Sequence, residues 1–337
     1  EITVKALTLI LRSRLRNGDQ VFHVAREAAS HSNPAVNWPT LRPASVAADD
    51  DSPQVDVQPP ALAKGQDSSA AMLPPEIFAP NDGKGPQQLS EKFLAFMPAY
   101  VAEVKQHVTA LGEMDESAKR KEMAIRLHLR LQCLSRKIDV PTLRPAFELC
   151  RSLEGLLKKF VENPKNITET SVRTVSSALD LLKDLCIPGV RPDLVDKPQV
   201  RLLVVDDEPL ARRALTGALQ MAFTKPLTAE TGEEALELAA DHEFDIVFMD
   251  VCMPGMDGFA ACSKIHETSR NNFTPVIFVT TLSDDEFRVR ASQCGGADYV
   301  VKPFIFMEIN LKALTIALRG RLEIDKLAQA PKTPVAA

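Results

Sequence analysis

Hydrophobic and polar positions change rhythm along these 337 residues. Between 88 and 187 the apolar residues recur three and four apart, which is the spacing of one face of an α-helix. Phe93, Met97, Val101, Val104, Val108 and Leu111 form one stripe, and Met123, Leu127, Leu131 and Leu134 a second. Leu143, Ala146, Cys150, Leu153, Leu157 and Phe160 form a third, with Pro141 near its first turn, where a missing N–H costs nothing. Val172, Val175, Leu179, Leu182 and Leu185 form the fourth. Short connections between the stripes predict an all-α antiparallel four-helix bundle over 88–187. From 201 to 325 the rhythm is different. Apolar runs ("RLLVV", "FDIVFM", "PVIFVT", "DYVV") alternate with helical stretches. That alternation predicts a parallel sheet with helices on both faces.

Two segments have neither rhythm. Residues 31–87 hold ten of the 24 prolines and read as a disordered Pro-rich linker. Residues 188–200 read as a second, shorter linker. The chain opens on an amphipathic helix, "EITVKALTLILRSRL", which matches "EINLKALTIALRGRL" at 308–322 in ten of fifteen positions. The shared residues include the polar Lys5/Lys312, Thr8/Thr315 and Arg12/Arg319, which a common apolar stripe would not dictate. Residues 1–30 are therefore expected to hold the last helix of a second domain like 201–325. Its other residues, about 107 by the length from 201 to 308, would lie upstream.

Composition narrows the function. The net charge of −5 calls for no nucleic-acid partner, and no aromatic residues interleave the basic stretch at 119–144. That stretch has eight Lys and Arg against two acids and suits docking to an acidic protein edge. Six cysteines show no C-x-x-C pair or metal-type spacing, so reduced thiols and a cytoplasmic setting are expected. No apolar run approaches the ~18 residues of a membrane helix.

The chemistry concentrates at the ends of the predicted strands. Asp206 and Asp207 end the first run, Asp250 the second, Thr280 the third and Lys302 the fourth. In an open α/β sheet these carboxyl ends share one edge, where ligands bind. Three carboxylates there repel one another, and a divalent cation removes the conflict. Mg²⁺ prefers such oxygen ligands. An acidic nucleophile, a metal, a lysine and a hydroxyl together suit phosphoryl transfer, which depends mainly on positioning and charge neutralisation.

"LLVVDDEP", "FDIVFMDVCMPGMDGF", "VIFVTT" and "ADYVVKPF" closely resemble the receiver domain of two-component response regulators. The resemblance implies a flavodoxin-like fold with a five-stranded parallel sheet of order 2-1-3-4-5. It implies Asp250 as phosphoacceptor, with Mg²⁺ held by Asp206, Asp207, Asp250 and the backbone carbonyl of Cys252. Lys302 and Thr280 would contact the phosphoryl oxygens, and Tyr299 would be the aromatic partner of the Thr280 switch. A cis Lys302–Pro303 peptide is expected as well. Such a domain assists its own phosphorylation and dephosphorylation rather than acting on a separate substrate. Its donor would be a sensor histidine kinase or a phosphotransfer protein, and its readout a downstream protein target or homodimerisation through the receiver. Cys252 and Leu282 stand where the family tunes hydrolysis; neither orients water, so a long-lived phosphoaspartate is expected.

The bundle resembles histidine phosphotransfer domains in "LRPAFELCRSLEGLLKKF", yet Gln132 stands where the phosphorylated histidine should be. Glutamine accepts no phosphoryl group. His128, one turn earlier on the same face, is the remaining candidate for phosphotransfer. A relay through His128 and a non-phosphorylated interaction scaffold stay open as alternatives.

Overall fold

The computed structural model describes residues 91–138, 143–186 and 200–329. The expected opening helix at 1–30, the 31–87 linker, Pro141 and the linker residues 188–199 lie outside the described residues.

Four helices come first: α1 (Glu91–Glu113), α2 (Ser117–Lys137), α3 (Arg144–Glu162) and α4 (Glu169–Leu185). Their apolar stripes face inward. Met97, Val104, Leu111, Leu127, Leu131, Leu153, Phe160, Val175 and Leu182 are all essentially inaccessible. Cross-helix contacts fix the antiparallel order. Arg120 donates to the Gly112 carbonyl near one end of the α1–α2 pair, and Tyr100 Oη to the Arg130 carbonyl further along. Lys105 on α1 meets Asp180 on α4 at 2.7 Å, while Gly112 lies against Val172. At the start of α4, Thr168 and Ser171 form a reciprocal capping box that satisfies the free N–H groups of the first turn.

The α/β part follows: β1 (Leu202–Val205), α5 (Pro209–Leu219), β2 (Leu227–Ala229), α6 (Gly232–Asp241), β3 (Ile246–Met249), α7 (Gly258–Glu267), β4 (Val276–Thr280), α8 (Asp285–Gln293), β5 (Asp298–Val301) and α9 (Phe306–Gln329). The five strands are all parallel, in the order β2-β1-β3-β4-β5. The sequence pattern left β2 without an apolar run. It is an edge strand of three residues whose Leu227 and Thr228 are exposed, so nothing forces an apolar pattern onto it. The central strands β1, β3 and β4 are buried at every position, because helices cover both faces.

The bundle and the sheet share one hydrophobic core. Leu202, Val204, Phe248, Ile277 and Val279 point to the same side of the sheet, where Ile309, Leu311, Leu314 and Leu318 of α9 join them to the bundle's leucines. Helix α9 is the bridge, packing on α3 and α4 as well as on α5. Gly155 of α3 leaves room for the end of the Met307 side chain, which would lie 2.4 Å from a β-carbon there. A second core on the opposite side of the sheet gathers Val205, Val247, Met249, Phe259, Phe278, Phe287 and Tyr299.

Candidate functional site

A sheet buried on both faces admits polar side chains only where its strands run out into water. Strand register sets which residues meet there. Val205 pairs with Met249, and the next residue on each strand is Asp206 and Asp250; the Asp250 N–H donates to the Val205 carbonyl at 2.8 Å. Thr280 pairs with Val301, and the following Lys302 N–H donates to the Thr280 carbonyl at 2.8 Å. Four neighbouring strands thus deliver Asp206, Asp250, Thr280 and Lys302 to one edge in spatial order. The Lys302–Pro303 peptide is cis, as expected.

Lys302 Nζ lies 2.8 Å from Asp206 Oδ2 and 2.8 Å from Asp250 Oδ2. Asp206 is fully buried and Asp250 nearly so. Their remaining oxygens are held by backbone donors. Asp206 Oδ1 accepts from the Glu208 N–H at 3.0 Å, and Asp250 Oδ1 from the Val251 N–H at 2.7 Å. Asp207 is exposed. One oxygen each of Asp206, Asp207 and Asp250 lie within 4.8 Å of one another. Burial pushes the Asp206 carboxyl above its ordinary range; Lys302 opposes this and Asp250 adds to it. Burial works against the charge on Lys302, but its hydrogen bonds to Asp206 and Asp250 outweigh that and hold the ammonium above its ordinary value. Thr280 is buried, and its hydroxyl accepts from the Leu282 N–H at 3.2 Å.

Glycines shape the floor. Gly255 takes φ +77°, a region open to glycine and costly to other residues. The chain then folds back so closely that Gly258 donates its N–H to the Val251 carbonyl at 3.0 Å. Cys252 is exposed on this loop, and Leu282 is half-buried beyond β4.

The geometry now supports a comparison with known proteins. Residues 202–313 match the response regulator receiver domain family. Protein PilH of Pseudomonas aeruginosa is 35% identical over 120 residues, which are 36% of this chain and 98% of PilH. The chain belongs to the response-regulator receiver family. Regulatory protein AtoC of Escherichia coli is 43% identical over 138 residues, 40% of this chain. The matched segment spans only 29% of AtoC and 52% of the probable transcriptional regulator ycf27 of Cyanidium caldarium. Chemotaxis protein CheY4 of Vibrio cholerae is 34% identical in its solved structure, covering 35% of this chain and 97% of that one, with a TM-score of 0.33. The family match stops short of the bundle, whose fold stands on its own packing.

The receiver brings Asp206, Asp207, Asp250, Thr280 and Lys302 to one edge of the sheet. Tyr299 lies one strand turn away on β5, nearly buried, with its ring 5.2 Å from that of Phe287. His128 is not part of this cluster. It sits on α2 of the bundle, half-buried, with Nδ1 enclosed and lacking a hydrogen-bond partner. Sequence reasoning missed Glu169 and Arg173 on α4, which reach the receiver. Arg173 Nη2 lies 2.9 Å from Asp298 Oδ1, and its guanidinium stacks 4.2 Å from the centre of the Tyr299 ring. The "TETSVR" stretch gives no period that could flag such a contact. No described helix is long and apolar enough to cross a membrane.

Proposed function

We propose that this chain is a response regulator that accepts a phosphoryl group from a phosphohistidine donor onto Asp250. The observation that carries the reading is Lys302 bridging Asp206 and Asp250, with the third carboxylate of Asp207 beside them. A structural ion pair would need one acid for one lysine. Here two acids share one lysine with a third beside them, and Asp206, raised chiefly by burial and further by Asp250, keeps its proton more tightly than usual.

The residues fit a divalent cation. Three carboxylates close enough to share one ion offer the hard oxygen donors that Mg²⁺ selects. Asp206, Asp207, Asp250 and the Cys252 carbonyl would hold it, and it would supply further charge neutralisation for phosphoryl oxygens. The remaining work falls to the chain. An Asp250 carboxylate oxygen attacks phosphorus; the bond from phosphorus to the donor's imidazole nitrogen breaks, its electron pair stays with the imidazole, and that nitrogen takes a proton from solvent. The backbone N–H of Val251 orients the nucleophilic carboxylate from one side, leaving its other oxygen to Lys302. Lys302 then passes from a carboxylate pair to the new phosphoryl oxygens, a compact charge suited to that task. Thr280, buried beside it, offers a hydroxyl once it leaves the Leu282 N–H.

Incubation with acetyl phosphate and Mg²⁺ followed by intact-mass analysis tests the reading. One phosphoryl group should be gained and lost again on hydroxylamine treatment, and Asp250→Asn should gain none. Equal uptake by Asp250→Asn would overturn it.

A further inference from the structure

The receiver face that meets α4 is built around the same strand that delivers Lys302. Asp298 and Tyr299 open β5, and Lys302 follows its last residue. Both residues at the opening of β5 are engaged by the bundle. Arg173 Nη2 pairs with Asp298 and also donates to the Tyr299 carbonyl at 3.3 Å, while its guanidinium covers the Tyr299 ring. Tyr299 Oη donates to Glu169 Oε1 at 3.4 Å. Glu169 in turn holds Arg288 of α8 at 2.7 Å, and the Arg288 guanidinium stands 5.9 Å from the centre of the same ring. Two arginines and a carboxylate thus lie against one phenol.

The chemistry of this contact is unlike the rest of the bundle–receiver boundary. Along most of α9 the two parts join through leucine and isoleucine in one continuous core, to which Arg319 adds a hydrogen bond to Ser177 of α4. At β5 and the first turns of α9 the join is made of charges. Lys312 is buried and paired with Asp298. Glu308 is buried next to Thr170 of α4, with Oε1 lacking a hydrogen-bond partner. Directional, charged contacts have discrete arrangements, whereas an apolar core is tolerant of small slides. The charged end can therefore reorganise while α9 keeps the two parts attached.

We propose that the N-terminal half of α4 is the receiver's built-in signal partner. Docked on Tyr299 and Asp298 it restrains phosphoryl uptake, and phosphorylation of Asp250 loosens it. This inference rests on Asp250 being the phosphoacceptor. The direction follows from linkage. The Glu169 and Arg173 contacts are made to the arrangement in which Lys302 bridges Asp206 and Asp250. A phosphoryl group on Asp250 draws Lys302 to new oxygens and pulls on the end of β5. Contacts that stabilise the first arrangement oppose leaving it, and departure must weaken them by the same factor.

The test uses the full chain with acetyl phosphate and Mg²⁺. Phosphoryl occupancy is read by intact mass, and backbone hydrogen exchange is followed by mass spectrometry over peptides from residues 169–177. Phosphorylation should speed exchange in those peptides, and Asp250→Asn should show no such change. Arg173→Ala should take up phosphate about 5-fold faster or more, the lower end of usual coupling strengths. Arg288→Ala, which touches α4 from the receiver side, should also be faster. Both arginines are more than a third exposed, so neither change threatens the core. Normal phosphorylation with unchanged exchange and wild-type rates in both variants would overturn the restraint while leaving Asp250 as acceptor. A chain that gains no phosphoryl group would bring down both.

Discussion

Gly258 passes so close beneath Asp250 that a β-carbon on it would stand 2.1 Å from the Asp250 carbonyl oxygen. That neighbour is backbone, and Val251 Cα would be only 2.9 Å away, so no side-chain rotation relieves the clash. Gly258→Ala must push the phosphoacceptor segment away from α7. The expected cost is about 1–3 kcal/mol in urea denaturation, typical of overpacking, together with reduced phosphoryl uptake. A variant of unchanged stability and uptake would show the loop to be looser than its geometry.

Lys302 balances two buried acids, and its loss should be felt first in chemistry. Lys302→Ala is expected to slow uptake from acetyl phosphate by about 10²-fold, the usual cost of removing one charge-stabilising donor. The measurement is the initial rate of labelling at fixed Mg²⁺. A change under two-fold would mean that this ammonium does not meet the phosphoryl group.

The two aspartates Asp206 and Asp298 should titrate stability in opposite senses. Asp206 holds its proton more tightly when folded, chiefly through burial. Its contribution is complete below the unfolded value of about 3.9 and is lost as pH rises through the higher folded value. In metal-free buffer Asp206→Asn should therefore raise the thermal midpoint at pH 7. At Asp298 burial alone would raise the value, but Lys312 and Arg173 outweigh it and keep the carboxyl below the ordinary range. Its contribution is present above about pH 3.9 and is lost as pH falls through the lower folded value. Asp298→Asn should flatten that acid limb and, by stranding the buried Lys312, cost about 3–5 kcal/mol at pH 7. Urea melts from pH 2 to pH 7 would expose a reversal of either trend.

The environment of the acceptor speaks for slow loss of phosphate. Cys252 is exposed and Leu282 half-buried near the cleft, and neither side chain positions a water molecule. Phosphoaspartate decay, timed by mass after removal of the donor, should take minutes or longer. Complete loss within seconds would reject this account of hydrolysis.

His128 belongs to the bundle and has no connection to the cleft. His128→Gln should leave labelling of Asp250 by acetyl phosphate within two-fold of the parent chain. It should also leave transfer from a phosphorylated donor unchanged. A loss confined to the second assay would instead support a relay through the bundle.

The sequence foretold most of what burial controls. Each apolar stripe named from its spacing became a largely buried helix face, with Met123 and Val172 half-buried at its margins. The five cleft residues were legible because polar side chains interrupt continuous apolar strands only at their ends. Other features were silent. β2 is short and half in water, so it carries no apolar run. Glu169 and Arg173 are solvated-looking residues on a helix that already has its buried stripe; their role arises from a fold-level encounter with residues more than a hundred positions away. Lys312 left a trace, as one of the polar positions shared between the opening segment and 308–322. The structure explains why a lysine inside an apolar helix is useful there: it neutralises Asp298.

The continuity of leucines through α9 has a consequence for how this molecule can be taken apart. A free-standing receiver cut out at residue 200 would inherit an α9 whose packing partners α3 and α4 were left behind. It would expose an oily seam and tend to clump. Transplanting the module between proteins would keep that face covered only if the helices before it travelled along.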